Sequence, residues 1–383
     1  MPKIIINLLY TIIIMIFIAH RGNTEGPNPE KENNPDYILS AIKKGYYAEI
    51  DVWVIDRELY LGHDEPQYKI DISFIENNSG NLFCHCKNIF ALNLLLQKNI
   101  HCFFHNIDDY TLTSKGIIWA YPNRLLTENS IAVMPEWDDI IPYNCYGVCT
   151  DYPELYLMYN KFANKYNKIS SKNATIIKNN GNSFDKQLLN IPDNRYCVSI
   201  TGITDIIYLN RAFYTLLDNL KSVLQGDISY MCEGVLHHTV MQVITFTEYN
   251  KHIDYVKGVK DKYSKKIIPL IKQLENIKIS LNGIVLTKDG IILKGYPDKN
   301  INKIRENIRL TLKNNNLVLK EPYKADTSHI TLYRFTNKKD IGIMDKLRIL
   351  CEKYNNIYFG SVRIKKYNLG SFTWKVRNNI IYC

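Results

Sequence analysis

The sequence predicts an α/β protein in two parts, a parallel β/α barrel-like domain followed by an α+β domain. Three observations predict it. Short apolar or alternating runs recur from Ile13 to Cys149 and are separated by helix-compatible stretches. Polar residues stand directly after those runs, as in barrels that keep their chemistry at the carboxyl ends of the strands. Beyond a polar stretch rich in Asn, Lys and Ser, the pattern changes to longer alternating runs joined by a tight turn.

Taken in order, the first strands are Ile13–Ala19, Tyr47–Val54, Leu82–Cys86, His101–His105, Gly116–Ala120, Ile131–Met134 and Gly147–Cys149, with helices at Tyr37–Lys44 and Ile89–Gln97. Seven strands are one short of a complete barrel, so a compact, incomplete TIM-type enclosure is expected over residues 15–158. Residues 159–194 read as a linker. Residues 195–383 read as the α+β domain: strand Tyr196–Ile203, helix Leu209–Leu224 and strand His237–Phe246 come first. Hairpin Ile277–Leu286/Gly290–Gly295, helix Asn302–Asn314, strand His329–Phe335 and helix Met344–Tyr354 follow. Trp374 and several tyrosines are core candidates.

A hydrophobic fraction of 46% with 22% charged residues excludes a disordered or fibrous chain. The balance of 48 basic to 38 acidic residues, +10, leans towards anionic ligands such as nucleotides or RNA, while the Lys run at 257–266 reads as a solvated face. Nine cysteines without CxxC spacing read as reduced thiols, hence a cytoplasmic protein. Cys84, His85 and Cys86 cannot share one ion, because neighbours on a strand face opposite ways. Residues Ile4–Ala19 are apolar and follow Lys3, which imitates a signal peptide or a membrane anchor. The stretch is short for a span and runs into His20 without a cleavage site, so residues 1–14 read as an upstream extension and no stable membrane partner is expected.

Three phrases carry the chemistry of the first domain: Ile18-Ala19-His20-Arg21-Gly22, Glu49-Ile50-Asp51-Val52 and Leu61-Gly62-His63-Asp64. Glu49 and Asp51, two apart on a strand, share a face and offer two hard oxygen ligands suited to Mg²⁺ or Ca²⁺. Two histidines supply groups that exchange protons near neutral pH. In this order and spacing the phrases resemble the glycerophosphodiester phosphodiesterase family of β/α barrels, and Gly147-Val148-Cys149-Thr150-Asp151-Tyr152-Pro153 is similar to that family's last strand. The resemblance implies His20 and His63 as the acid–base pair, Glu49 and Asp51 as metal ligands, and Arg21 as a phosphate contact. The family's Glu-x-Lys is replaced here by His85-Cys86-Lys87. His85 then becomes the third ligand, which favours Mn²⁺ or Zn²⁺, and Lys87 faces phosphate. His101 and His105 share a face with Phe103 and read as packing, with His105 near the mouth. Glu136 ends a strand within reach of the site.

In the second half, His237-His238-Thr239 and His329-Ile330-Thr331 each place a His two residues before a Thr on a strand, so each pair shares a face. Side by side, two imidazoles and two hydroxyls surround a phosphate without a metal. The pattern resembles the two-histidine (2H) phosphoesterases, which act on cyclic nucleotides, RNA ends or 2′-5′ oligoadenylates. It implies His237 and His329 as the catalytic pair and Thr239 and Thr331 as phosphate contacts; His238 faces away, and Tyr333 and Arg334 are further binding candidates. Together the two halves imply a bifunctional phosphodiester hydrolase acting on small-molecule phosphodiesters and RNA ends. The competing reading is that one half is inactive and serves as a phosphate-ligand binding or regulatory module.

Overall fold

The computed structural model describes residues 15–138, 140–189, 195–204, 206–225, 236–373 and 380–381. Residues 1–14 and Trp374 lie outside them. The chain divides into two compact units, Met1–Asn160 and Lys161–Cys383.

The first unit runs β1 (Ile16–Ala19), α1 (Pro35–Lys43), β2 (Tyr47–Ile55), β3 (Glu58–Leu61), β4 (Tyr68–Ile70), α2 (Ile72–Asn78), β5 (Leu82–Cys86), α3 (Ile89–Gln97), β6 (Cys102–Phe103), β7 (Tyr110–Leu112), β8 (Ile118–Ala120), β9 (Ser130–Val133) and β10 (Gly147–Thr150). All seven expected strands are present, pairing in parallel in the order β6-β5-β2-β1-β10-β9-β8. Side-chain caps fix the helix starts: Asn34 accepts from the amides of Asp36 and Tyr37 ahead of α1, and Asn88 from that of Ala91 ahead of α3.

This sheet curls into a half-barrel, and the described residues do not form a closed eight-stranded barrel. The parallel run ends at β6 on one side and at β8 on the other, where antiparallel β7 adds on, and among the described residues the two sides do not pair with each other. The reason lies in the elements after α3: β6 to β10 hold two to four residues each, and no α-helix separates them. A full barrel needs eight tilted strands backed by crossover helices.

The period-two alternation of the strands splits the sheet into two faces. One packs Ile50, Val52, Cys84, Cys86 and Cys102 against Ile38, Ala91 and Leu95 of the helices. The other, inside the curl, begins with an apolar layer of Ile18, Phe83, Phe103, Trp119, Ile131 and Cys149. One step further along the same face come His20, Glu49, Asp51, His85, His105 and Asp151. The apolar layer is the floor and the polar layer the site.

The stretch 159–194, expected as a linker, is helical as far as Asn180 within α4 (Pro153–Asn180). Phe162 and Tyr166, four apart, are fully buried. The Tyr166 hydroxyl accepts from the amides of Gly295 (3.3 Å) and Ser328 (3.2 Å). An apolar stripe inside a polar composition makes the part of this helix from Lys161 on an amphipathic element of the second unit.

The second unit continues with β11 (Tyr196–Ile203), β12 (Ile206–Leu209), α5 (Arg211–Val223), β13 (His237–Ile244), α6 (Phe246–Ile271), β14 (Ile277–Thr287), β15 (Gly290–Pro297), α7 (Ile301–Asn314), β16 (Ser328–Arg334), α8 (Ile341–Lys353), β17 (Tyr358–Ile364), β18 (Asn368–Thr373) and β19 (Ile380–Ile381). Its sheet is antiparallel, in the order β12-β17-β14-β15-β16-β13-β11-β18-β19. Gly290 closes the hairpin where a Cβ would lie 2.0 Å from the Tyr333 carbonyl oxygen, so only glycine fits. Among the described residues no helix is long and apolar enough to cross a membrane, and the seven described cysteines are free.

Candidate functional site

In the first unit, β2 carries Glu49 and Asp51 and β5 carries His85, with Asp51 directly opposite His85 in the ladder. One ligand atom from each of the three falls within 4.8 Å of the others. His85 Nδ1 is 3.0 Å from Asp51 Oδ1 and 3.9 Å from Glu49 Oε1. Arg21 follows β1 with a left-handed φ of 50°, a conformation rare outside glycine and asparagine. That turn aims its amide at Glu49 Oε2 (3.2 Å) and brings its Nε to 3.2 Å from Asp51 Oδ2. Lys87 Nζ stands 3.6 Å from Asp51 Oδ1.

His20 is tied through Nδ1 to Asp151 Oδ1 at 2.8 Å. His63 sits at the rim, partly exposed, with Nδ1 2.7 Å from Asp64 Oδ1. Thus Glu49, Asp51, His85, Arg21 and Lys87 meet, His20 lies within the field of Glu49 and Arg21, and His63 within that of Asp51, Arg21 and Lys87.

Electrostatics separates these groups. Burial and the neighbouring Asp51 push the Glu49 carboxyl up. Burial also opposes ionisation of Asp51, but the His85 hydrogen bond and the charges of His85, Arg21 and Lys87 outweigh it and hold Asp51 low. Burial lowers His20, yet the Asp151 hydrogen bond and the Glu49 charge leave it raised. His63 is lowered, chiefly by desolvation. His105 stacks on His85 with ring centroids 4.7 Å apart, and burial and the charges of His85 and Lys87 lower it to about 4. His101 lies in the apolar floor against Phe83, bonded to Thr113 Oγ1 at 2.9 Å, as packing predicts. Glu136 acts one step removed, accepting from the amide of Asp151 (2.9 Å) and the hydroxyl of Thr150 (2.6 Å).

In the second unit His238 pairs with Ile330 across antiparallel β13 and β16. That register sets His237 across from Thr331 and Thr239 across from His329, a diagonal arrangement of the two His-x-Thr pairs. All four line one cavity of about 220 Å³, together with Ser199, Thr201, Arg305, Tyr323, Thr327 and Arg334. Thr239 and Thr201 share a hydroxyl contact of 3.3 Å, and His329 Nδ1 is 3.3 Å from Thr327 Oγ1. Burial, with the charges of Arg334, Arg305 and His237, lowers His329 to about 4, so its imidazole is neutral at pH 7. His238 points to the opposite face, fully buried between Tyr367 Oη (2.7 Å) and Ser328 Oγ (2.9 Å). Tyr333 is fully buried and is not among the residues that line the cavity.

Sequence reasoning missed the polar shell of the first site. Asn33 bonds Asp51 twice at 2.9 Å, Glu32 accepts from Arg21 at 2.9 Å, and Asn23 bridges Glu32 and Asp151. Asp151 was visible as a polar residue closing the last strand, without a role. No family model matches the sequence, and no curated protein is significantly similar to it.

Proposed function

We propose that the chain is a two-site phosphodiester hydrolase. The observation that supports it best is the meeting of Glu49, Asp51 and His85 on one face beside His20, Arg21 and Lys87. The half-barrel is read as an opened relative of the TIM-type barrel, with its chemistry still at the strand ends.

Two carboxylates and an imidazole fit a divalent cation, with Mn²⁺ or Zn²⁺ favoured by the nitrogen ligand and Mg²⁺ or Ca²⁺ by the oxygens. The raised carboxyl of Glu49 is a second sign of fit, since a cation relieves the repulsion between it and Asp51. When bound, such an ion polarises a phosphoryl oxygen and offsets its charge. Arg21 and Lys87 grip the non-bridging oxygens. His20, whose protonated form Asp151 stabilises, gives a proton to the leaving oxygen, and the lowered, partly exposed His63 takes one from the attacking water. Two titrating groups pushed apart in this way define acid and base. Glycerophosphodiesters are the substrate class expected here.

In the second cavity, His237 and His329 move the protons and Thr239 and Thr331 hold the phosphate oxygens, with no metal in the step. Cyclic nucleotides, RNA ends or 2′-5′ oligoadenylates are its substrate class.

A second reading has one observation in its favour. Asp51 already meets Arg21, Lys87, Asn33 and His85, so the first site is well satisfied as it stands and suits a binding module. Assays of the full chain on glycerophosphocholine and on a 2′,3′-cyclic nucleotide, with and without EDTA, separate the two. We expect EDTA and His20→Ala to abolish only the first activity and His329→Ala only the second. If glycerophosphocholine is left intact at every metal tried, the first site is a binder.

A further inference from the structure

Arg305 of α7 is 1% exposed, yet among the described residues no carboxylate pairs with it. Asp326, whose field reaches it, is held by Lys165 at 2.8 Å. A buried, unpaired cation is costly, and a fold keeps one where something else answers the charge. Its three nitrogens are bonded to neutral groups only: Nε to the Val240 carbonyl (2.7 Å), Nη2 to the Thr327 carbonyl (2.7 Å) and Nη1 to Asn302 Oδ1 (2.9 Å). Val240 follows Thr239 on β13, and Thr327 lies two residues before His329. The guanidinium therefore ties together the two chain segments that carry the His-x-Thr pairs. It has five N–H groups. The three bonds leave one on each Nη without a partner among the described residues. Arg305 also lines the cavity, whose wall contains, among the described residues, two arginines, two histidines and several hydroxyls but no aspartate or glutamate.

From this we infer that Arg305 is a positioning and selectivity residue of the second site, a built-in countercharge that a phosphate group completes when it enters between the two His-x-Thr pairs. The inference rests on reading that cavity as a phosphodiester site and deepens it. The cavity takes ligands by negative charge before it takes them by shape, and neutral or cationic ligands of the same size are refused.

Titration calorimetry of the full chain with inorganic phosphate, in EDTA, tests this. Wild type should bind phosphate at the second site, and Arg305→Met should lose that binding by on the order of 100-fold. Arg305→Lys keeps the charge without the fork and should fall between the two. Arg309→Met removes an arginine one turn along the same helix, which bonds Glu321 and Glu306, and should leave the titration unchanged. Should Arg305→Met fail to fold, the buried Nε–H of Arg305 is observable in wild type by ¹⁵N NMR, assigned by its loss in Arg305→Lys. It should shift on adding phosphate. Phosphate binding equal in wild type and Arg305→Met, or an Nε–H signal unmoved at saturating phosphate, overturns the inference. Phosphate bound through Arg305 without hydrolysis of any cyclic nucleotide instead overturns the catalytic reading and leaves this one standing.

Discussion

At the scale of single residues, Asp51 is where the first site's charge is settled, and His85 is the partner that does most to settle it. His85 bonds Asp51 at 3.0 Å and lies within ion-pairing reach of Glu49. Removing the imidazole takes away a proposed metal donor and unbalances two buried carboxylates at once. His85→Ala should therefore weaken Mn²⁺ binding, read by titration calorimetry, by at least about 10-fold, the least that losing even an outer partner of a metal usually costs. An affinity unchanged by the substitution would place the cation elsewhere. The candidate ligands were legible because Glu49-x-Asp51 and His85-x-Lys87 repeat the strand period within one short phrase. Asn23, Glu32 and Asn33 were not assigned, since they belong to a polar loop in which no period singles them out, and Asp151 stands at a strand end with no partner nearby in sequence. Only the fold carries Asp151 across 131 positions to His20. Arg305 was hidden for a different reason: a basic residue in an amphipathic helix normally faces water.

At the scale of elements, apolar alternation located all seven parallel strands, and composition misled at α4. Asn and Lys are the commonest residues of that helix, and the buried stripe through Phe162 and Tyr166 is too sparse to stand out in a window average. Strand alternation also separates the two neighbouring histidines of β13: His237 faces the cavity, and His238 locks β13 to Ser328 at the start of β16. Burial, followed by the charges of Arg305, His329 and His237, holds His238 well below its usual range, so it is neutral in the folded protein. The unfolded chain binds that proton near pH 6.5 and the folded chain does not. Stability from this group is therefore complete above about pH 6.5 and falls as the pH drops below it. At pH 5.5 the loss is about 1.4 kcal/mol relative to pH 7.5. His238→Gln removes that titration. In urea unfolding its stability should be lower than wild type at pH 7.5, and the gap should narrow by about that amount at pH 5.5. Parallel pH curves for the two proteins would mean that His238 is protonated in the fold.

At the scale of the molecule, two compact units, each with its own buried apolar residues, imply two cooperative transitions, and the two proposed sites imply that different ligands act on each. The aromatic residues give a way to tell the transitions apart. Of the four tryptophans, Trp53, Trp119 and Trp137 all belong to the first unit, so tryptophan emission follows chiefly its unfolding. Far-ultraviolet circular dichroism reports both units, because long helices such as α6 and α7 belong to the second. A ligand that binds only the folded form stabilises it by an amount set by its concentration, about 2.7 kcal/mol at 100 times Kd. Mn²⁺ should accordingly raise the melting temperature seen by tryptophan emission, leave the second transition seen by circular dichroism in place, and lose its effect on adding EDTA. In Glu49→Gln/Asp51→Asn the shift should vanish while the second transition remains where it was, since that unit contains neither carboxylate. A Mn²⁺ shift that survives the double substitution would move the cation off the Glu49–Asp51–His85 face, and the metal-dependent half of the proposed chemistry would go with it.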